Sequence, residues 1–577
     1  LRADLDASQQ RVLEGPASRR LIVEAGPGSG KTTTSIAMIE WIAEASSAGD
    51  ESILFVVFSR AAASAAMRAF ESGGGFEDAN VVVTTLDSLA GQLIEQQYDE
   101  GRAPRFDQIV RSAAAMLRAQ YDGSLDDVSH LIVDEAQDLS ADHRNLLCAI
   151  IERLPNQAGV TVFGDPLQSI YEFLDGDRSE GRSSWQELKR QLEGLNITTT
   201  LSLDGQFRAR GRAPKKVMAA GSRMRSASAL DRIDQLDELV SDLTPVSLSD
   251  LAIRSRSWTG TVAVLARTNA DVLAIFDQLM GLGVQCAIRE SAMNSRSTIA
   301  PWVAELWFET GGSAVTADAF RQFARTRDHV DEAWFRWLVY ATGSHSSVAW
   351  RSIANLCGRT PDLDCPVIVR PYASVVVSTI HQAKGLEWDN VAVVDTRSLL
   401  RPVGRSEPES ELLFVALSRA RDKVVTVNWE GPVTRQRPGS EMLYKTAMPF
   451  HRAVAVQVLP RDLRTDYPVG GPDAQQTLRG WLGTPTRVGI QRMSSVSDWP
   501  LYRLCIGGVA VGVTTAEFGK AVAQVARTGS GLASLGPVWL EGLESRWSVE
   551  GDLEFWLHPR VFGFSHLDRE GSGGSDG

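Results

Sequence analysis

The run Glu24-Ala25-Gly26-Pro27-Gly28-Ser29-Gly30-Lys31-Thr32-Thr33 holds the residue types best suited to chemistry in this chain. Glycines let a backbone curl until its N–H groups point at anionic oxygens. A lysine closing such a loop brings charge to outer phosphates, and the Thr32 hydroxyl is a hard oxygen ligand suited to Mg²⁺. A second group of reactive types is Asp134-Glu135-Ala136-Gln137-Asp138. Asp134 can hold Mg²⁺ directly or through water, and Glu135 can orient and deprotonate an attacking water. Gln9 precedes the loop, and its amide can both donate and accept, as reading an adenine edge requires. The chemistry these groups describe is phosphoryl transfer from a nucleotide.

Such groups need rigid elements to aim them. Leu21-Ile22-Val23 leads into the glycine run, and Ile36, Met38 and Ile39 leave it with helical spacing. Strand, glycine-rich turn and helix are the context a phosphate-binding loop needs. Ala25 stands where the usual pattern has its first glycine. Further apolar runs, Ser52–Phe58, Val81–Thr85, His130–Val133 and Gly159–Phe163, predict strands of a parallel sheet buried on both faces. Carboxylates that follow such a strand face the ligand crevice. Ile109, Ala113, Met116 and Leu117 recur at the spacing of a packing helix.

The 577 residues exceed what one core serves, so several domains are expected. At 43% hydrophobic and 23% charged, the composition is globular. A net charge of -12 excludes a basic module visible in the totals, although a nucleic-acid groove needs only local charge. Cys148, Cys286, Cys357, Cys365 and Cys505 lack CxxC spacing and read as reduced thiols of a cytoplasmic protein, without a zinc or iron–sulfur site. No run is long enough to span a membrane, and no signal peptide is expected.

After the strand Gly159–Phe163 comes Gly164-Asp165-Pro166-Leu167-Gln168-Ser169-Ile170-Tyr171-Glu172-Phe173. The loop, the Asp-Glu-Ala-Gln-Asp and this segment resemble, in order and spacing, the UvrD/PcrA/Rep-like superfamily 1A helicases. The second half is similar as well. Gly205-Gln206-Phe207-Arg208 resembles the family's Asn-Tyr-Arg motif, and Arg267-Thr268-Asn269 its Arg-x-Asn. Thr379-Ile380-His381-Gln382-Ala383-Lys384-Gly385-Leu386-Glu387-Trp388 and Val415-Ala416-Leu417-Ser418-Arg419-Ala420 resemble its last two. The resemblance covers roughly residues 1–430.

It implies an α/β fold: two RecA-like parallel-sheet P-loop domains, a small helical insertion and a C-terminal α+β domain. The expected divisions are 1–200 for the first RecA-like domain, with a vestigial insertion near 98–105, and 201–289 with 371–430 for the second. Residues 290–370 form a reduced helical accessory insertion, and 431–577 a C-terminal domain. Lys31, Glu135, Gln168, Arg208 and Arg419 are the implied catalytic residues, Arg419 as an arginine finger reaching across from the second domain. Gln9, Ala25 through Thr33, Phe207 and Glu387 bind ATP, with Phe207 stacking on adenine. Thr32 and Asp134 hold Mg²⁺.

Phe58, Tyr171, Phe173 and His381 occupy positions that contact single-stranded DNA in the family. Some residues depart from the pattern. Asp87 replaces a usual histidine, Phe173 and Leu174 replace a Trp-Arg pair, and the Arg60 segment carries one residue more. Trp302, Trp307, Trp334, Trp337 and Trp350 in the insertion form either a small helical core or a face for a partner or DNA. In the tail, Gly470–Pro485 reads as loop, Tyr502–Thr514 as a hairpin around Gly507-Gly508, Ala516–Arg527 as a helix and Gly571–Gly577 as a disordered end. The implied activity is an ATP-dependent translocase or helicase on single-stranded DNA, of 3′-to-5′ polarity, in DNA repair or anti-phage defence. A nuclease or other protein partner could dock on the insertion or the tail. The alternative is an ATP-switched regulatory or DNA-sensing subunit with little unwinding of its own.

Overall fold

The computed structural model describes the chain except residues 1–4, 46–51, 59–62, 64–79, 96–107, 120–122, 171–182, 290–297, 328, 359–365, 369–372, 402–408, 430–432, 437–442, 448–451, 494–498, 527–533, 549–552 and 569–577. Tyr171, Phe173, Leu174, Cys365, Arg60, the vestigial insertion near 98–105 and the end at Gly571–Gly577 therefore lie outside the described residues. The chain folds as two compact units, Leu1–Thr244 with Thr396–Val424, and Pro245–Asp395 with Val425–Gly577.

Six strands build the sheet of the first unit: β1 Arg20–Ala25, β2 Ser52–Val56, β3 Asn80–Thr84, β4 Val128–Val133, β5 Gly159–Gly164 and β6 Thr200–Leu203. Their order is β3-β2-β4-β5-β1-β6, and every pairing is parallel. Side chains alternate between two cores. Ile22, Leu54 and Leu131 join one, whereas Val23, Ile53, Phe55 and Ile132 join the other. A sheet covered on both faces needs the near-continuous apolar runs that the sequence supplies. The order also decides the chemistry. Because β4, β5, β1 and β6 are consecutive neighbours, the residues that follow their carboxyl ends arrive side by side.

A second parallel arrangement lies in the other unit. It uses β7 Pro245–Val246, β8 Val262–Ala266 and β9 Cys286–Ile288, and the chain returns to it later. In between come β10 Ala314–Thr316 and β11 Ser347–Ala349, an antiparallel pair among four short helices, Trp302–Thr310, Ala317–Ala324, Trp334–Thr342 and Trp350–Gly358. Then β12 Val375–Thr379, β13 Trp388–Val394 and β14 Ala420–Val427 complete the order β7-β14-β13-β8-β12-β9. Pairings β7–β14, β13–β8, β8–β12 and β12–β9 are parallel.

The C-terminal part is an antiparallel sheet: β15 Val433–Gln436, β16 Leu443–Ala447, β17 Arg452–Val458, β18 Thr486–Arg492, β19 Tyr502–Ile506, β20 Val509–Val513, β21 Ser534–Leu535, β22 Val538–Ser548 and β23 Glu554–Asp568. The hairpin of β19 and β20 turns at Gly507 and Gly508, both at positive φ, and the helix Ala516–Ala526 follows. Residues 470–485 are not all loop. Gly471–Arg479 is a helix that starts with Pro472 in its first turn and buries Ala474 and Leu478.

The four short helices do not make a core alone. Trp302, Phe320, Leu338 and Trp350 pool with Val488, Tyr502, Phe518 and Phe555 of the C-terminal part in one buried cluster. Trp307 stands edge-on to Trp350 at 5.1 Å and lies 5.6 Å from Phe555, while Trp302 lies 5.6 Å from Trp334. Helices of eight or nine residues are too short to be stable by themselves. The tryptophans are thus core, and Trp334 and Trp337 are partly buried against it.

Candidate active site

The glycine loop follows β1 and opens onto the helix Lys31–Ala45. Gly28 and Gly30 sit at φ 71° and 87°, where a side chain is strained. Both are also closely approached. A Cβ on Gly28 would lie 2.5 Å from the Arg208 side chain, and one on Gly30 2.4 Å from Gln9 Nε2. The loop is pinned from β6 as well: Phe207 N–H donates to Gly28 O at 2.8 Å, and Gln206 Nε2 donates to Pro27 O at 3.2 Å. Gln206 Oε1 in turn accepts from the N–H groups of Arg208 and Ala209. The segment after β6 therefore holds the loop in shape.

Gln9 is buried and uses both ends of its amide internally. Oε1 accepts from Asp6 N–H at 3.0 Å, and Nε2 donates to Thr34 Oγ1 at 3.1 Å. Phe207 is 58% exposed, with a ring edge 3.4 Å from where a Gly30 Cβ would stand. One polar edge and one open aromatic face thus flank the outer end of the loop.

Lys31 is buried, and its Nζ stands 2.9 Å from Glu135 Oε1. Burial opposes its charge, but Glu135, Asp134 and Asp165 outweigh that and raise its pKa. Burial, then the neighbouring Glu135 charge, push Asp134 up to about 6, with Lys31 opposing. Glu135 itself sits at φ 53°, a left-handed conformation that a non-glycine residue holds only at a cost. Its Oε2 accepts from Gln137 Nε2 at 2.5 Å, and its N–H donates to Asp134 Oδ1 at 2.8 Å. Thr32 is exposed at the start of the loop helix. Asp134 and Thr32 offer only oxygen donors, and a cation beside the raised Asp134 would relieve its burial. The pair therefore fits Mg²⁺. Among the described residues no cluster of three or more His, Cys, Asp or Glu could hold a metal.

Past β5, Asp165 is fully buried. It accepts from Gln168 Nε2 at 2.8 Å, and its backbone N–H donates to Gln137 Oε1 at 3.0 Å. Gln168 Oε1 accepts from Arg419 Nη2 at 2.8 Å. Arg419 is 1% exposed, also donates from Nε to Val415 O, and is pulled down to about 9 by burial and by Arg208 beside it. Burial likewise lowers Arg208, which donates to Ser418 O at 3.4 Å. Arg419 stands between the helix Ser410–Leu417 and β14, within the compact unit that holds the loop. Glu387 and His381 lie in the other unit, after β12. Phe58 follows β2 and is 42% exposed. Asp87 faces His143, Oδ1 to Nε2 3.2 Å.

Sequence reasoning missed Arg225. It ends the helix Arg212–Met224, places Nε 3.3 Å from Asp165 Oδ1, and lays Nη2 where a Gly26 Cβ would be, 1.7 Å away. It ties the segment after β5 to the phosphate loop. Its only sequence signal is the glycine it leans on. Gln137 was also overlooked, although it links Glu135 to Asp165.

Known proteins match parts of this chain. A family model described as AAA domain matches residues 9–174, and one described as UvrD-like helicase C-terminal domain matches 374–427. Over these segments the chain resembles UvrD-like superfamily 1 helicases. The chain is 24% identical over 326 residues to the ATP-dependent DNA helicase UvrD2 of Mycobacterium tuberculosis and to that of Mycobacterium bovis. The match takes in 50% of this chain and 46% of the relative, so the chain spans about half the length of the curated relatives it matches. Among solved structures, Bacteroides sp Pif1 in complex with ADP-AlF4 aligns at 16% identity and TM-score 0.36, covering 73% of this chain and 92% of that one. Pif1 helicase from Candida albicans aligns at 15% and 0.37, covering 74% and 95%.

Proposed function

We propose that this chain hydrolyses ATP and uses the energy to move along single-stranded DNA. The observation that supports this most is the convergence of Lys31, Asp134, Glu135, Gln168 and Arg208, which follow neighbouring strands, with Arg419 brought to Gln168 by the end of the helix Ser410–Leu417. Lys31 and Glu135 hold each other in the structure. Nucleotide phosphates compete for Lys31, and that competition frees the Glu135 carboxylate to orient and deprotonate the attacking water. Gln168, Arg208 and Arg419 take the charge that develops on the γ-phosphate, and one such arginine is worth ~10³–10⁵ in rate. Thr32 and Asp134 hold Mg²⁺, which when bound neutralises charge on the β- and γ-phosphates. Gln9, the exposed ring of Phe207 and Glu387 read the nucleoside.

On the nucleic-acid side, Phe58, Tyr171, Phe173 and His381 contact a single strand, in which base stacking is tolerant of sequence. The 3′-to-5′ polarity, the place in DNA repair or anti-phage defence and a cytoplasmic location follow from the family resemblance. Translocation outweighs unwinding, because the accessory helices spend their apolar faces on a core shared with the C-terminal sheet. The test is a pair of variants. Lys31→Ala weakens nucleotide binding, whereas Glu135→Gln binds nucleotide normally and loses turnover by ~10²-fold or more. Near-normal turnover in Glu135→Gln would contradict the assignment.

A further inference from the structure

The second unit holds a cavity of about 400 Å³, within the ~300–1,000 Å³ common for small-molecule sites. Its floor is the carboxyl edge of the second parallel sheet. Asn269 follows β8, Arg289 follows β9 and Gln382 follows β12. That edge is where open α/β sheets bind ligands. Its roof comes from the C-terminal part: Arg461 after β17, Arg546 on β22 and Arg560 on β23. Roof and floor are one packed body, since Trp539 and Phe562 share a core with Val272 and Phe276, and Trp539 Nε1 donates to Asp277 Oδ1 at 2.8 Å.

The charges in this cavity do not balance. Glu544 pairs with both Arg546 and Arg560, and Glu541 pairs with Arg560 at 3.0 Å. These two arginines are thereby fixed in place. Arg289 makes no ion pair among the described residues, and Arg461, which is exposed, acts on its neighbour Asp462. Arg289 is half-buried, and burial lowers its pKa with no acid among the described residues to hold it up. A desolvated cation without a counter-charge is costly, and a bound anion removes that cost. Val272, Ile288 and Phe562 add apolar surface to the lining, the Phe562 ring centroid 5.7 Å from the Arg560 guanidinium. Basic groups set among apolar ones suit a phosphate carried on a flat organic group.

We infer that this cavity is a second nucleotide site, taking the phosphate monoester of a single nucleotide between Arg289 and Arg461, apart from the phosphate loop of the first unit. Such a phosphate has two sources, a free mononucleotide or the phosphorylated end of a strand. The inference rests on the second unit alone and stands or falls separately from ATP hydrolysis.

The experiment is calorimetric titration of the full chain, with ADP saturating the phosphate loop. The probes are thymidine 5′-monophosphate against thymidine, and a thymidine octamer with a 5′-phosphate against the same octamer with a 5′-hydroxyl. The phosphorylated member of at least one pair binds ~10-fold or more tightly than its partner. Binding of the mononucleotide assigns a free ligand, and preference only between the octamers assigns a strand end. Arg289→Gln lowers that affinity ~10-fold or more and Arg289→Lys by less, while ADP affinity stays within about twofold. Arg461→Gln, at an exposed position where folding is not at risk, weakens binding in the same direction. Equal binding of phosphorylated and unphosphorylated probes, or unchanged affinity in both Arg289→Gln and Arg461→Gln, would overturn the inference.

Discussion

The two parallel sheets of this chain have six strands each, yet the charges near their carboxyl edges are arranged differently. The first edge interleaves Asp134, Glu135 and Asp165 with Lys31, Arg208, Arg225 and Arg419, and pairs Lys31 with Glu135 and Arg225 with Asp165. The second edge offers Asn269, Arg289 and Gln382, under a roof with two further arginines that glutamates hold. One architecture thus serves two purposes. Where acids and bases alternate, a site can move a proton and stabilise a changing charge. Where a cation such as Arg289 makes no ion pair among the described residues, a site can hold an anion.

The comparison extends to how each unit is held together. The first sheet is covered by its own helices, whereas the accessory helices of the second unit depend on the C-terminal sheet. Trp350 is 1% exposed at that junction. Trp350→Ala is expected to cost about 3–5 kcal/mol and to loosen the accessory helices and the C-terminal sheet together. Hydrogen exchange would check this, and loosening of the helices alone would break the claim of a shared core.

A smaller effect contrasts the two edges directly. Arg225→Ala leaves Asp165 buried without its cation, at about 2–3 kcal/mol of stability. Arg289→Gln removes a cation that no acid balances, so thermal or denaturant unfolding should show it as stable as the parent, within about 0.5 kcal/mol. Equal destabilisation by both would erase the distinction between the edges.

The smallest effect is on pH. Asp134 lies above its ordinary value at about 6, so it costs stability at neutral pH, and the cost fades as pH falls through about 6. Mg²⁺ needs the ionised form. At about pH 5.5 some three-quarters of a group with pKa about 6 is protonated, and apparent Mg²⁺ affinity should be about fourfold weaker than at about pH 7.5. Titration of ATP turnover with Mg²⁺ at the two pH values checks it, and a pH-independent midpoint would remove Asp134 from the metal's ligands.

Much of the first edge was legible in sequence, because each reactive group sits within one to six residues after an apolar strand. Lys31, Asp134, Glu135 and Gln168 are found by that rule. Arg225 is not, since a helix end brings it to the loop from far along the chain and no local pattern marks it. The surroundings of Arg419 are likewise set beyond its motif. A motif carries the residue's type, while the packing of the helix before it decides which body it joins. The apolar faces of the accessory helices showed that they must bury something, and only tertiary structure showed what covers them. Gly470-Gly471-Pro472 read as loop, although a proline just inside a helix start is also a starting signal.

The central claim is that the first edge turns over ATP and that single-stranded DNA drives it. The direct measurement is steady-state ATP hydrolysis by the purified chain, without nucleic acid and with single-stranded DNA, duplex DNA or RNA. The account predicts a rate that single-stranded DNA raises well above the others and that Glu135→Gln abolishes under every condition. A rate indifferent to single-stranded DNA, or one that survives in Glu135→Gln, would contradict it.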